Sequence, residues 1–316
     1  MIRTPEAFAL ATVGREGAAG SAWLTELPFL VDELLERWRC VPDGEVTHGG
    51  VGLVVPVRRR AAGEPAVLKV SFPHPGNVHE PDAFAVWSGR GAVLLHERDD
   101  TRFAMLLEWA RSSTLAEVGD HDEVMSAAGR ISRRLAVAAP PGLPRLRERA
   151  GEWERELRAD AEELPHALSS RAVGAALATV RELGREQPDL MVHGDVHARN
   201  ILRADREPWL AVDPKGYAGD PAYDCGTLLK ARALAFLDLE KDDLGRAVRR
   251  ALDVFTESAG VDRERARRWA QLHAVQASFH ARRHGFRLAR GGPLLDRIIA
   301  FADSLATSLA ERGPGR

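Results

Sequence analysis

The chain has 316 residues, 45% of them apolar, and a formal net charge of -2 at pH 7 from 44 basic and 46 acidic side chains. That is enough to bury the core of one large or two modest domains, while the mixed charge offers no basic face for nucleic acid. No run approaches the roughly 20 apolar residues of a bilayer span, residues 1–20 lack the apolar stretch of a secretory signal, and two cysteines, Cys40 and Cys225, build neither a disulfide framework nor a zinc site, so a reducing cytoplasm is the expected compartment.

Residues 1–20, rich in Ala, Gly and Arg, show no period and are expected as a flexible arm. Leu27, Leu30, Val31, Leu34, Leu35 and Trp38 then recur at three- and four-residue spacing, predicting a helix with Pro28 in its first turn. Residues 47–60 and 65–72 predict a hairpin of β-branched strands entered over Gly49, Gly50 and Gly52, whose amides can approach phosphates. A short helix from His79 to Ser88 and two strands at 92–97 and 103–109 follow. Thr114 and Glu117 have capping-box spacing, and the pattern is then helical to about residue 186, broken by PPGLP at 140–144. Strands return at LMVHG and WLAVD, and helices resume from Pro221, with Asp220 as the cap.

The chemistry lies between those two late strands. HGDVHARN (193–200), followed by Asp213 at the end of WLAVD, has the spacing of a phosphoryl-transfer site. Asp195 is the candidate base for an acceptor hydroxyl, braced by His193. Asn200 and Asp213 are candidate ligands for Mg2+, which takes few protein oxygens and completes its shell with phosphate. Lys69 is the lone charge in its strand, and Glu80 stands eleven residues on at the start of the predicted helix. A buried pair of that kind holds a lysine against nucleotide phosphates.

These motifs resemble the aminoglycoside phosphotransferases, most of all the streptomycin 6-kinase and hydroxyurea phosphotransferase branch. The likeness rests on VHGDVHARNILRADREPWLAVDPKGYAGDPAYD (192–224), with DPK in place of DFG, and on AWLTELPFLVDELLERW, AVLKV and HEPDAFAVWSGRGAVLL; it covers roughly residues 22–235. It implies an α+β, bilobal, protein-kinase-like fold: a small antiparallel β-sheet lobe with one helix over residues 21–111, and a larger, mostly helical catalytic and substrate lobe over 112–316. It implies ATP between the lobes, with the backbone carbonyl of Glu108 and amide of Ala110 as adenine contacts, Lys69 on the α and β phosphates, and Gly50 in the glycine-rich entry. The implied reaction is Mg-assisted transfer of the γ-phosphate to a hydroxyl of a small molecule, inactivating an antibiotic.

The short segment after Asp213 leaves no room for an activation loop or an APE-like platform, which favours a small-molecule acceptor over a protein. A non-catalytic nucleotide-binding regulator stays open, although such proteins usually lack one of the residues named. The acceptor is also open. Streptomycin would call for carboxylates, and Asp238, Glu240, Asp242, Asp243 and Glu152, Glu156, Asp160, Glu162, Glu163 are candidates, each cluster also having the pattern of a solvated helix face. The basic run FHARRHGFR (279–287), if it lines the pocket, favours hydroxyurea or another neutral or anionic acceptor.

Overall fold

A computed structural model describes residues 2–310, apart from 62, 238, 240, 287 and 288. It begins with a correction. Residues 1–20 do not form a flexible arm: α1 (Glu6–Arg37) starts there and runs, with a bend at Gly17, through the segment predicted as a separate helix. Alanine-rich composition favours helix, and the glycines at positions 14, 17 and 20 interrupt the period that would have revealed it. Phe8 anchors the segment, 1% exposed and set edge-on to Trp23 at 6.1 Å. Pro28 consequently lies inside α1 rather than in its first turn. Phe8→Ala should cost about 3–5 kcal/mol, the range for a buried Phe truncated to leave a cavity. Urea unfolding measures it, and a change below about 0.5 kcal/mol, typical of exposed positions, would restore the arm.

The sheet is antiparallel. It comprises β1 (Cys40–Pro42), β2 (Thr47–His48), β3 (Gly52–Arg59), β4 (Pro65–Ser71), β5 (Leu95–Asp99) and β6 (Ala104–Glu108), in the order β1-β3-β4-β6-β5 with β2 on β3. Between β4 and β5 lies α2 (Glu80–Trp87). Strand alternation assigns the two faces. Ala66, Leu68 and Val70 of β4 join Ala104 and Leu106 of β6 in the core under α1. Met105 and Leu107 of β6 face the other way, into the core that contains α2. Lys69 pairs in register with Met105, so the same alternation turns its side chain toward α2.

The rest is mainly helical: α3 (His121–Leu135), α4 (Ala150–Glu163), α5 (Ser170–Glu182), then α6 (Tyr223–Ala231), α7 (Ala233–Phe236), α8 (Lys241–Ala259), α9 (Arg263–His284) and α10 (Gly292–Ala310). Helix α9 carries Trp269, Leu272, Val275 and Phe279, all fully buried, down the middle of this part. The Thr114–Glu117 capping box forms, but on a single 3-10 turn; Asp120 caps α3 by accepting from the amides of Asp122 and Glu123. Two ribbons lie between α5 and α6: β7 (Leu190–Val192) pairs with β10 (Tyr217–Gly219), and β8 (Ile201–Arg203) with β9 (Trp209–Ala211). No described helix is long and apolar enough to cross a membrane.

Sheet and helices are joined by more than the chain crossing at 109–113. Trp87 Nε1–H donates to Leu135 O at 2.9 Å, and Ala211 N–H to Gly91 O at 2.9 Å. From the β8–β9 turn Arg206 reaches the carbonyls of Gly89 (2.7 Å) and Ala92 (2.9 Å) and forks onto both oxygens of Glu108, each at 2.9 Å.

Candidate active site

The loop 193–200 leaves β7 and enters β8, and its backbone is fixed from beneath. His193 is fully buried; its Nε2–H donates to Val212 O at 3.0 Å, and its Nδ1 accepts the Asp195 amide at 3.2 Å. That fixes the neutral tautomer, and burial keeps it neutral by lowering its pKa to about 4. Its ring stacks on Trp87 across 6.1 Å, tying the loop to α2. Gly194 has φ +80, and a Cβ there would lie 2.7 Å from the Tyr217 ring, so this turn requires glycine.

A residue that the sequence reading did not weigh holds the loop: Asp224, 1% exposed in α6, accepts the amides of His193 (3.1 Å) and Gly194 (2.9 Å). Its only sequence signal is the last letter of GDPAYD. Burial pushes Asp224 up to about 7, with the two amides opposing. Asp224→Ala strands two buried donors, at about 1–3 kcal/mol each. The pH dependence follows from the raised value. The native carboxyl binds its proton more tightly than the unfolded one, so its contribution is complete below the ordinary carboxylate pKa and is lost as pH rises through about 7. Urea unfolding from pH 4.5 to 7.5 should therefore show the stability gap between wild type and Asp224→Asn shrinking with pH; a parallel pair of curves would contradict the assignment.

Asp213 follows β9 in the left-handed region, with φ +59, a backbone state that a non-glycine residue adopts at a cost. The turn aims its Oδ1 at Lys69 Nζ, 2.8 Å away, and Lys69 also meets Glu80 Oε1 at 2.5 Å. Glu80 is 1% exposed at the head of α2. Burial alone would lower the Lys69 pKa, but the two carboxylates outweigh it and hold the ammonium above the ordinary lysine value. Lys69 in turn holds Asp213 well below the usual carboxylate range. Burial raises Glu80 against the pull of Lys69.

Asn200 is placed beside Asp213 by the β8–β9 ribbon, its carbonyl accepting the Val212 amide at 2.9 Å. Its amide nitrogen donates to Asp195 O at 3.0 Å, which leaves its side-chain oxygen available. Lys69 therefore touches both Glu80 and Asp213, while Asp195 and Asn200 are fixed by the adjoining loop. Gly50 sits in the exposed β2–β3 turn, closed by the Gly49 amide on Gly52 O at 2.8 Å, and its carbonyl accepts Arg15 of α1 at 3.0 Å. Glu108 ends β6, and Ala110 lies two residues on, after Trp109. The Glu108 side chain is committed to Arg206 and to the Leu94 amide at 2.9 Å, and its own amide donates to Leu94 O at 2.8 Å, so its backbone carbonyl is the part left to meet a ligand. Asp220 accepts the Ala222 amide at 3.0 Å ahead of α6, together with Trp269 Nε1–H at 2.8 Å and Arg265; it is a structural anchor.

A cavity of about 770 Å3 lies between α4, α6 and α9, lined by Tyr223, the chain neighbour of the Asp224 that holds this loop. The Asp195 charge acts on two of its lining groups, the Tyr223 hydroxyl and the Lys230 ammonium. Glu156, Asp160 and Glu163 line it, as do His280, Arg283 and His284 from the basic run. Arg283 pairs with Asp160 at 2.8 Å and with Glu163. Asp243 pairs with Arg246 on the surface; Asp238, Glu240, the Asp242 side chain and Arg287 lie outside the described residues.

The family profile described as aminoglycoside/hydroxyurea antibiotic resistance kinase matches residues 37–285. A streptomycin 6-kinase of Streptomyces glaucescens is 38% identical over 278 residues, 87% of this chain and 90% of that protein. A hydroxyurea phosphotransferase of Kitasatospora aureofaciens is 38% identical over 264 residues, 82% and 74% of the two chains. The crystal structure of aminoglycoside phosphotransferase APH(4)-Ia superposes with a TM-score of 0.56 at 13% identity, covering 92% of this chain and all of that one, which shows the shared bilobal kinase-like fold. With that fold and a profile match across most of its length, the chain belongs to the aminoglycoside/hydroxyurea antibiotic resistance kinase family.

Proposed function

We propose that the protein uses ATP to phosphorylate a hydroxyl of a streptomycin-like antibiotic in the cytoplasm, between a nucleotide lobe that runs from α1, including the residues first read as an arm, to residue 111 and a catalytic and substrate lobe from residue 112 onward. The supporting observation is the contact of Lys69 with both Glu80 and Asp213 next to the Asp195 loop and the cavity of about 770 Å3. A cavity of that size suits a drug-sized ligand; hydroxyurea, with a handful of heavy atoms, would fill little of it, and although the basic run 279–287 does line the cavity, its Arg283 is engaged by Asp160 and Glu163 and so weighs less against a cationic acceptor than expected.

Asp195 takes the proton of the acceptor hydroxyl, whose oxygen attacks the γ-phosphorus as the bond to the β-phosphate oxygen breaks and ADP leaves. Lys69, positioned by Glu80, holds the α and β phosphates. The amide of Gly50 faces the phosphates, and the carbonyl of Glu108 and amide of Ala110 hold adenine. Asn200 and Asp213 suit Mg2+: both present hard oxygens, and Lys69 engages only Oδ1 of Asp213. Mg2+, when bound with nucleotide, neutralises phosphate charge.

A coupled ADP-release assay with streptomycin, other aminoglycosides, hydroxyurea and nucleosides tests the reading. Turnover with streptomycin at about 1–100 per second, the usual range for kinases, supports it. Turnover with hydroxyurea alone selects the other branch. Nucleotide binding with no acceptor turned over would make the protein a regulator.

A further inference from the structure

The stretch DPKG (213–216) contains a cation without an assigned role, Lys215. It crosses from the end of β9 to the head of α2 and is pinned at three points. The Asp213 carboxylate meets Lys69 at 2.8 Å, and the Lys215 amide donates to His193 O at 2.8 Å. Gly216, at φ +66, passes so close to α2 that a Cβ there would lie 2.6 Å from His79 O. Pro214, buried between the first two points, limits the backbone further. The course of the chain at Lys215 is therefore set on both sides of the residue.

The side chain starts against the base loop. A Cβ at Gly194, the residue before Asp195, would lie 3.1 Å from Lys215 Cβ. It then runs toward the turn between β4 and α2, where a Cβ at Gly76 would stand 3.8 Å from Nζ. Lysines commonly carry such a charge out into water; this one is half-buried, its stem lying between a turn of the catalytic loop and a turn of the sheet lobe. No carboxylate, carbonyl or hydroxyl among the described residues pairs with the ammonium. Its charge adds to that of Lys69 around Asp213 and Glu80.

We propose that Lys215 is a catalytic residue for the transferred group: its ammonium donates to the γ-phosphate oxygens of ATP as the phosphoryl group passes to the acceptor. This rests on reading the protein as the kinase proposed above. On that reading the γ-phosphorus lies between Asp213, beside the nucleotide groups, and Asp195, which takes the acceptor's proton. Lys215 is fixed to both ends of that interval, through the chain at Asp213 and through His193 and Gly194 at the base loop. As the acceptor oxygen bonds to phosphorus and the bond to ADP breaks, charge is spread over the equatorial oxygens, and a cation held beside them stabilises it. Lys215 gives up no proton in the step. A cationic acceptor would offer this ammonium no partner, so the anion it serves is the phosphate.

The test compares calorimetric titrations of ADP and of a non-hydrolysable ATP analogue, both with Mg2+, into full-chain wild type, Lys215→Met, Lys215→Gln and Lys215→Arg, with Tm as the fold control. Losing a charged hydrogen bond to the γ-phosphate should raise the analogue Kd about tenfold or more in the Met and Gln variants, while the ADP Kd stays within about twofold. Lys215→Arg should keep most of the analogue affinity. With streptomycin as acceptor, kcat of Lys215→Met should fall about 10²–10³-fold. An analogue Kd equal to wild type in both uncharged variants overturns the role of Lys215 and leaves the kinase reading intact. ADP weakened as much as the analogue, or a fall in Tm that Lys215→Arg does not restore, makes the lysine a strap between the two turns and overturns the proposal as well. Analogue binding that depends on Lys215, with no acceptor turned over by wild type, supports the γ-phosphate contact and overturns the kinase reading alone.

Discussion

Asp195→Asn should lower kcat by about 10²–10⁴-fold, the usual contribution of a positioned general base, while the affinity for nucleotide stays close to wild type. The separation follows from what holds the loop. Its bonds run through the Asp195 amide to His193 Nδ1 and the Asp195 carbonyl to Asn200, and through the amides of His193 and Gly194 to Asp224. None involves the Asp195 carboxylate, so the asparagine variant keeps the backbone, Asn200 and the nucleotide groups in place and loses only proton acceptance. Single-turnover kinetics together with ADP titration measure the two effects. A variant with near-normal kcat would remove Asp195 from the chemistry, and one that loses nucleotide binding equally would make it structural.

Lys69→Met should be the most damaging change to both folding and nucleotide binding. It leaves Glu80, 1% exposed, as a buried carboxylate without its cation, and breaking such a pair costs about 3–5 kcal/mol. The Asp213 contact adds less to stability, because that side chain is 40% exposed and solvent screens it. For binding the weights reverse, since Asp213 and Lys69 both face the cleft and the two carboxylates, once uncompensated, repel phosphate. Adding Glu80→Gln to Lys69→Met should recover part of the stability and none of the nucleotide affinity. Urea unfolding and ADP titration separate the two, and a double variant as unstable as the single one would contradict the buried-charge account.

The inward direction of Lys69 was legible in the sequence, because strand alternation needs only the neighbours Leu68 and Val70 to fix it. The positions of Glu80, Asn200 and Asp213 were legible for a similar reason: a helix start or a strand end is local in the sequence. Helix α1 was not, since Phe8 is buried by residues distant in sequence and the glycines mask its period. Strands β8 and β10 are no shorter than β7 and β9, but ILR and YAG lack the uninterrupted apolar runs LMV and WLA that disclosed the other two. Asp224 was missed because it serves two backbone amides, and a backbone acceptor leaves no partner residue type to look for. The cavity assembles from α4, α6 and α9, and no spacing along the chain encodes which of their acids Arg283 will already occupy.

The reach of Arg206 bears on how the enzyme opens. One guanidinium anchored on the catalytic side grips two carbonyls ahead of β5 and the carboxylate at the end of β6, so the crossing at 109–113 is braced against bending like a strut across a door frame. Rigid-body jaw opening would have to break that whole set together. The exposed β2–β3 turn around Gly50 is held to α1 by the exposed Arg15 bond to the Gly50 carbonyl, so lifting it would break fewer contacts. Nucleotide exchange is then expected to follow a local lift of this turn rather than a swing of the whole sheet against the helices.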